Sequence, residues 1–234
     1  MSGFVNLFKI RLKVRFRELD IVFITIALPL LLTTINASVS GEMNWFLSSG
    51  IAMIIILSAF ASCTGSVVSD KDRGILRRMY ILPTPFSTYI VCEMLITSIF
   101  MILSSCMLIG AMTKLGAEIE GSLLTFILTF LLGAFTFLSL AIMVAGFIKT
   151  EKMAHVAISI LTMALIVPAC IPIDIFSPTI RLFIRILPSV ALSNILNEAV
   201  RGNNILFDNF NNIIILLIWL AIATIVAIRT FEWE

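Results

Sequence analysis

The residues most able to do chemistry lie in one polar stretch, residues 69–85, reading SDKDRGILRRMYILPTP between two long apolar runs. Lys71, Arg73, Arg77 and Arg78 place four of the chain's sixteen basic residues there, beside Asp70 and Asp72. The stretch carries the grammar of a short helix. Ser69 with Asp72 three residues later is a capping-box pattern, and Asp70 and Asp72 fall in a first turn, where the positive end of the helix dipole favours carboxylates. Arg77 and Arg78 lie toward the other end, and Pro83 stops the helix. Ile75, Leu76, Met79, Tyr80 and Leu82 recur at helical spacing, which gives one apolar face able to dock. Such an element is either a plain connecting loop or a handle for a partner.

Other chemistry is sparse. The dipeptide Gly-Lys occurs nowhere in the chain, so no GxxxxGK[ST] phosphate loop exists and the chain shows no means of hydrolysing ATP itself. His155 is the single histidine, and nothing is spaced to join it in metal ligation or catalysis. Ser139 and the other hydroxyl residues of the apolar runs lie in no GxSxG-like context, and small hydroxyl residues in membrane helices pack or bond to the backbone. Cys63, Cys92, Cys106 and Cys170 all sit in apolar stretches without CxxC spacing and read as buried apolar side chains. No metal site is expected. Glu93 is the one ionisable candidate inside a span. It is either an interfacial carboxylate paired with an arginine of the preceding helix or an intramembrane polar site of the kind that couples ions.

The elements that must hold these residues are membrane helices. The chain is 60% hydrophobic and 13% charged, with a mean hydropathy of +1.11, well outside the range of soluble domains. At about 20 residues per span, roughly six spans fit. They read as 19–39 (kinked at Pro29), 45–68, 88–112, 122–148, 153–171 and 211–228, within one transmembrane domain covering 1–234. Trp45 stands where an interfacial aromatic belongs. Residues 1–18 read as an amphipathic helix lying in the membrane interface. Ser2, Asn6, Lys9, Lys13, Arg17 and Asp20 form its polar stripe, Phe4, Val5, Phe8, Leu12, Phe16 and Leu19 its apolar face, and Arg11 and Arg15 snorkel from the flank. No small-residue cleavage site follows this basic segment, so it is expected to be retained rather than removed as a signal peptide.

Six spans place both termini on one side. Twelve of the sixteen basic residues then fall on that side, and Lys114, Arg181, Arg185 and Arg201 on the other. The positive-inside rule makes the termini and residues 69–85 cytoplasmic in a multi-pass plasma-membrane protein. A net charge of +2 gives no sign of nucleic acid as a partner. Residues 172–210, on the outer side, are too long for an idle connection and too polar to cross. Broken at Pro172, Pro178 and Pro188, they read as two short helices that dip part-way into the outer leaflet and return. The absence of coupling charges in the spans argues for an energy source outside this chain.

The whole order of parts resembles the type-2 ABC exporter permeases (ABC-2 family). The end of the second span followed by DKDRGILRRMYILPTP carries the resemblance, with Asp70, Asp72, Arg73, Gly74, Leu76, Arg78 and Pro83 on its pattern. The N-terminal amphipathic elbow, the six spans, the stretch IPIDIFSPTIRLFIRILP and the tail FEWE fit as well. The resemblance implies an all-α permease that is a transport subunit rather than an enzyme. A second permease subunit, identical or related, would pair with it. Residues Asp70, Asp72, Arg73, Gly74, Ile75, Leu76, Arg77, Arg78, Met79 and Tyr80 would couple it to a separate ABC ATP-binding subunit, which would bind ATP and Mg. The outer helices would line the exit for an apolar or amphipathic substrate such as a drug, a lipid-linked molecule or a peptide. A membrane scaffold or immunity protein without a transport cycle, and an ion-coupled carrier, are the competing readings.

Overall fold

The computed structural model describes residues 2–17, 23–76, 86–171, 177–202 and 209–230, and every element among them is helical. The first is α1, Ser2–Arg15. A π-helical turn, Phe23–Ala27, runs into α2, Leu28–Ser40, with Pro29 in its first turn. Proline removes a backbone donor, and the wider turn before it is the local adjustment that absorbs the loss. Gly41 ends α2 in the left-handed conformation, at φ 77°, its N–H donating to Ala37 O.

The second span is one continuous helical path, α3 (Met43–Leu57), a π-helical segment (Ser58–Thr64) and α4 (Gly65–Asp72). Next come α5, Phe86–Lys114, α6, Leu123–Phe147, and α7, Glu151–Cys170. A short α8, Pro178–Ile184, meets α9, Pro188–Arg201, at 88°. Finally α10 covers Phe210–Thr230. Six of these helical paths are long and apolar enough to cross a bilayer, and the bent α8–α9 pair passes the same test only if taken as one broken span. The protein is a multi-pass membrane protein.

Two readings of the sequence change at this level. The Ser69–Asp72 pattern does not start a helix. Those four residues are the last turn of α4, which ends through Arg73 and a left-handed Gly74 at φ 68°. The composition turns polar there while the backbone hydrogen bonding continues unbroken. The cysteines also divide: Cys63 and Cys92 are buried and Cys170 is half-buried, but Cys106 lies on an exposed face of α5.

The α3–α4 path is the axis of the bundle. Ile51, Ile54, Ile55, Ile56, Phe60 and Cys63 are buried among α5, α6, α7 and α9. Close approach relies on missing side chains. A Cβ on Gly50 would come within 2.5 Å of Thr33 Cγ2, and one on Gly133 within 2.4 Å of Leu192 Cδ1. Small residues at such crossings let membrane helices pack closely.

Between α7 and α10, α9 enters the bundle. Pro188, Val190, Leu192, Ile195, Leu196, Ala199 and Val200 are all buried. Its start lies deep: the Trp219 Nε1–H, nine residues into α10, donates to Ile186 O over 2.9 Å, which is roughly 13 Å along that helix. Its end lies at the rim, where the N–H groups of Glu120 and Gly121 donate to Val200 O over 3.0 and 3.1 Å. The Ser193 hydroxyl donates to Ala169 O over 2.9 Å and ties α9 to the end of α7.

Candidate functional site

At the end of the bundle where α4 finishes, three helices each present a pair of polar residues four positions apart. These are Arg11 and Arg15 on α1, Ser66 and Asp70 on α4, and Tyr89 and Glu93 on α5. Residues at i and i+4 share one helix face, so each pair points the same way. The pairs converge.

Glu93 is 1% exposed and its carboxylate is fully engaged. It accepts from Arg11 Nη1 over 2.6 Å, from Arg15 Nη2 over 2.9 Å and from the Ser66 hydroxyl over 3.0 Å. Asp70 accepts from the Tyr89 hydroxyl over 2.6 Å and from Arg11. The Arg11 guanidinium also sits 4.5 Å over the Tyr89 ring centre, within cation–π range. Two guanidinium groups thus face two carboxylates, and the charge balances. Burial alone would lower the pKa of Arg11, but Tyr89, Glu93 and Asp70 together outweigh it and hold the guanidinium above its ordinary value.

The arrangement bears on the question posed by Glu93. It is paired with arginine, and among the described residues those arginines belong to α1. Arg11 and Arg15 do not snorkel from the flank either; Arg15 is 3% exposed and turned into the bundle. An uncompensated buried carboxylate costs several kcal/mol, far more than straightening two arginine side chains against the apolar face of α1. That apolar face is docked too: Phe4, Leu7, Phe8 and Leu12 lie on Cys92, Ile96 and Phe100 of α5.

The other face of the same helical turn grips the junction between α6 and α7. The backbone N–H of Glu151, at the start of α7, donates to Asp72 Oδ2 over 3.0 Å. The Ser69 hydroxyl donates to Glu151 Oε1 over 3.3 Å, and Lys71 Nζ to Gly146 O over 3.4 Å. A carboxylate at a helix N-terminus is stabilised by the dipole, so Asp72 does serve a helix start, that of α7 rather than its own. Arg73 and Glu151 are 3.6 Å apart but well exposed, and such a pair contributes little.

Gly74 terminates α4, with its N–H donating to Lys71 O over 3.1 Å. Ile75 and Leu76 begin a new helical turn and are half-buried, Leu76 against the main core. Arg77, Arg78, Met79 and Tyr80, with Pro83 and Pro85, lie outside the described residues, as does Pro172. Pro178 and Pro188 each occupy the first turn of a helix, α8 and α9, where proline's missing donor costs nothing. His155 is exposed on α7.

Sequence reasoning found Asp70, Asp72 and Glu93 but missed Arg11, Arg15, Ser66, Tyr89 and Glu151 as their partners. The matching i, i+4 spacing of the three polar pairs was the available signal. Far from this cluster, a shallow recess of about 390 Å³ is lined by Glu42, Trp45, Glu118 and Arg201 among others.

An apolar helical bundle closed at one end by buried charge defines a polytopic membrane protein. The family model described as ABC-2 family transporter protein matches residues 24–229, and the chain belongs to that family. A comparison with curated proteins gives no match. Arg11 and Arg15 lie ahead of the matched segment, while their partners Ser66, Asp70, Tyr89 and Glu93 lie within it.

Proposed function

We propose that the chain is the membrane-spanning permease subunit of an ATP-driven exporter, with residues 69–85 as the contact through which a separate ABC ATP-binding subunit drives it. Family membership supports the transport role and implies an ATPase partner. One observation carries the coupling role. The last turn of the most buried span is tied on one face to α1 and α5 and on the other to the α6–α7 junction, so force applied just beyond Gly74 reaches five helices. Asp70, Asp72, Arg73, Gly74, Ile75 and Leu76 anchor that element, and Arg77, Arg78, Met79 and Tyr80 extend it toward the partner. ATP and Mg belong to the partner subunit. A second permease subunit, identical or related, completes the pathway, and the helices opened by Pro178 and Pro188 line its exit. The spans offer Phe, Met and Leu rather than fixed charge, which suits an apolar or amphipathic cargo such as a drug, a lipid-linked molecule or a peptide.

The test is isolation of the tagged full-length chain from native membranes, with ATPase activity and subunit content measured. The wild-type chain is expected to bring an ATP-binding subunit with it. The double change Arg77→Glu with Arg78→Glu is expected to lose that subunit, and Gly74→Pro to keep it while hydrolysis no longer responds to the permease. Isolation of the wild-type chain without any ATPase, or an unchanged complex in the double variant, sinks the proposal.

A further inference from the structure

The inner face of α1 has its charges matched by protein, and its outer face does not. Arg11 and Arg15 spend their charge on Asp70 and Glu93. Lys9, Lys13 and Arg17 follow one another at four-residue spacing on the opposite side, and all three are exposed. None of the three takes part in an ion pair among the described residues. Residues 2–17 contain no Asp or Glu, and the sequence continues with Glu18 and Asp20, outside the described residues. Beside this basic row runs an apolar one, with Ile10 64% and Val14 49% exposed.

What covers this face is constrained by its neighbours. On α5 the residues under α1 are Cys92, Ile96 and Phe100, and the adjoining row, Val91, Leu95 and Ile99, is apolar and open. An occupant must therefore meet a continuous apolar surface together with three cations that are unmatched among the described residues. A water layer satisfies only the cations, and a neutral lipid leaflet only the apolar row. A leaflet carrying anionic headgroups satisfies both, because acyl chains cover Ile10 and Val14 while phosphates sit against the lysines and arginine.

We propose that the Lys9–Lys13–Arg17 row binds the headgroups of anionic phospholipids, and that these lipids hold α1 in the position from which Arg11 and Arg15 reach Asp70 and Glu93. This rests on the reading of α1 as a membrane-interface helix, which the sequence composition also suggests. Anionic lipid then acts as a structural cofactor of the charged cluster: it fixes one side of α1, and the carboxylates fix the other.

The full-length chain is reconstituted in phosphatidylcholine vesicles with and without phosphatidylglycerol, and a nitroxide is placed at Ile10→Cys in a Cys106→Ser, Cys170→Ser background. Selectivity for spin-labelled phosphatidylglycerol over phosphatidylcholine at the protein surface is measured alongside. The wild-type chain is expected to prefer the anionic lipid, and the Ile10 label to become more lipid-like when it is present, with both effects weakening as salt rises. The variant Lys9→Gln, Lys13→Gln, Arg17→Gln is expected to lose more than tenfold in selectivity, given about fivefold per cation near an anionic surface. The control Lys149→Gln, Lys152→Gln, which removes charge elsewhere, should retain it. Equal selectivity in the triple variant and the wild type, or equal loss in the control, overturns the proposal. A label that is lipid-like in both vesicles overturns the lipid-charge dependence and leaves the interfacial reading of α1 standing. A label that is aqueous in both overturns the two together. Because the three residues make no ion pair among the described residues, unchanged thermal unfolding in detergent separates lost lipid contact from misfolding.

Discussion

Glu93 is held by three donors, and that decides what its removal does. Arg15 is nearly fully buried, and Glu93 supplies a carboxylate to both arginines of α1. Breaking a buried ion pair from one side costs about 3–5 kcal/mol, because the other charge is left in an apolar site. Glu93→Gln is therefore expected to lower the thermal unfolding midpoint of the purified chain substantially. Replacing both partners should hurt less than the two single changes summed, so Arg15→Gln with Glu93→Gln is expected to recover part of the loss in a double-mutant cycle. Strict additivity would show that the two residues are not coupled. Asp70 has the opposite local handicap. It lies in the last turn of α4, where the dipole disfavours a carboxylate, and Arg11 and the Tyr89 hydroxyl offset that cost. A residue that made only local sense would not be an acid there.

At the scale of elements, the rim contact of α9 has the tightest geometry. Val200 O accepts from two successive N–H groups of the 117–122 connection, and a Cβ on Gly121 would lie 1.7 Å from the backbone oxygen of Ala199. Backbone cannot yield as a side-chain tip can. Gly121→Ala is expected to push the connection off α9 at a cost of about 1–3 kcal/mol, read as a lower unfolding midpoint and faster hydrogen exchange at Glu120 and Gly121. Gly110→Ala, where an added Cβ meets nothing within 4 Å, serves as the control and should not destabilise. The spans themselves were legible, since twenty apolar residues between polar breaks have few other fates. So were two short helices within residues 177–202, opened by Pro178 and Pro188. The start of the polar stretch was misread because Ser69–Asp72 looks like a helix beginning wherever it stands, and only the absence of a breaker between Val68 and Ser69 says otherwise. The arginine partners of Asp70 and Glu93 were harder to read for another reason. They lie 59 to 82 residues away, and nothing local in α1 distinguishes an arginine that snorkels from one that turns inward.

Taken whole, the molecule has one deeply enclosed helix and one strongly basic end. The α3–α4 path is 83% buried over its apolar window, against 11% for α10, so the other helices are arranged around it and α10 closes the periphery. The charged cluster gathers Arg11, Arg15, Lys71 and Arg73 at the end where α4 stops and α7 starts, and the sequence adds Lys149 just before α7 and Lys152 in its first turn. Lys114 and Arg201 belong to the rim at the other end, beside the clasp of Glu120 and Gly121 on α9. Cationic residues resist translocation, so the first end is expected to face the cytoplasm. Single cysteines placed at Lys149 and at Glu118 test this in intact cells with a membrane-impermeant maleimide. Glu118→Cys is expected to label from outside, and Lys149→Cys only after permeabilisation. Cys106 and Cys170, the two native cysteines that are not buried, are replaced by Ser in both variants. Labelling of Lys149→Cys in intact cells would invert the molecule, and with it the side from which an ATP-binding subunit could reach residues 69–85. The orientation is thus the one measurement on which the coupling role, and the direction of any transport, both depend.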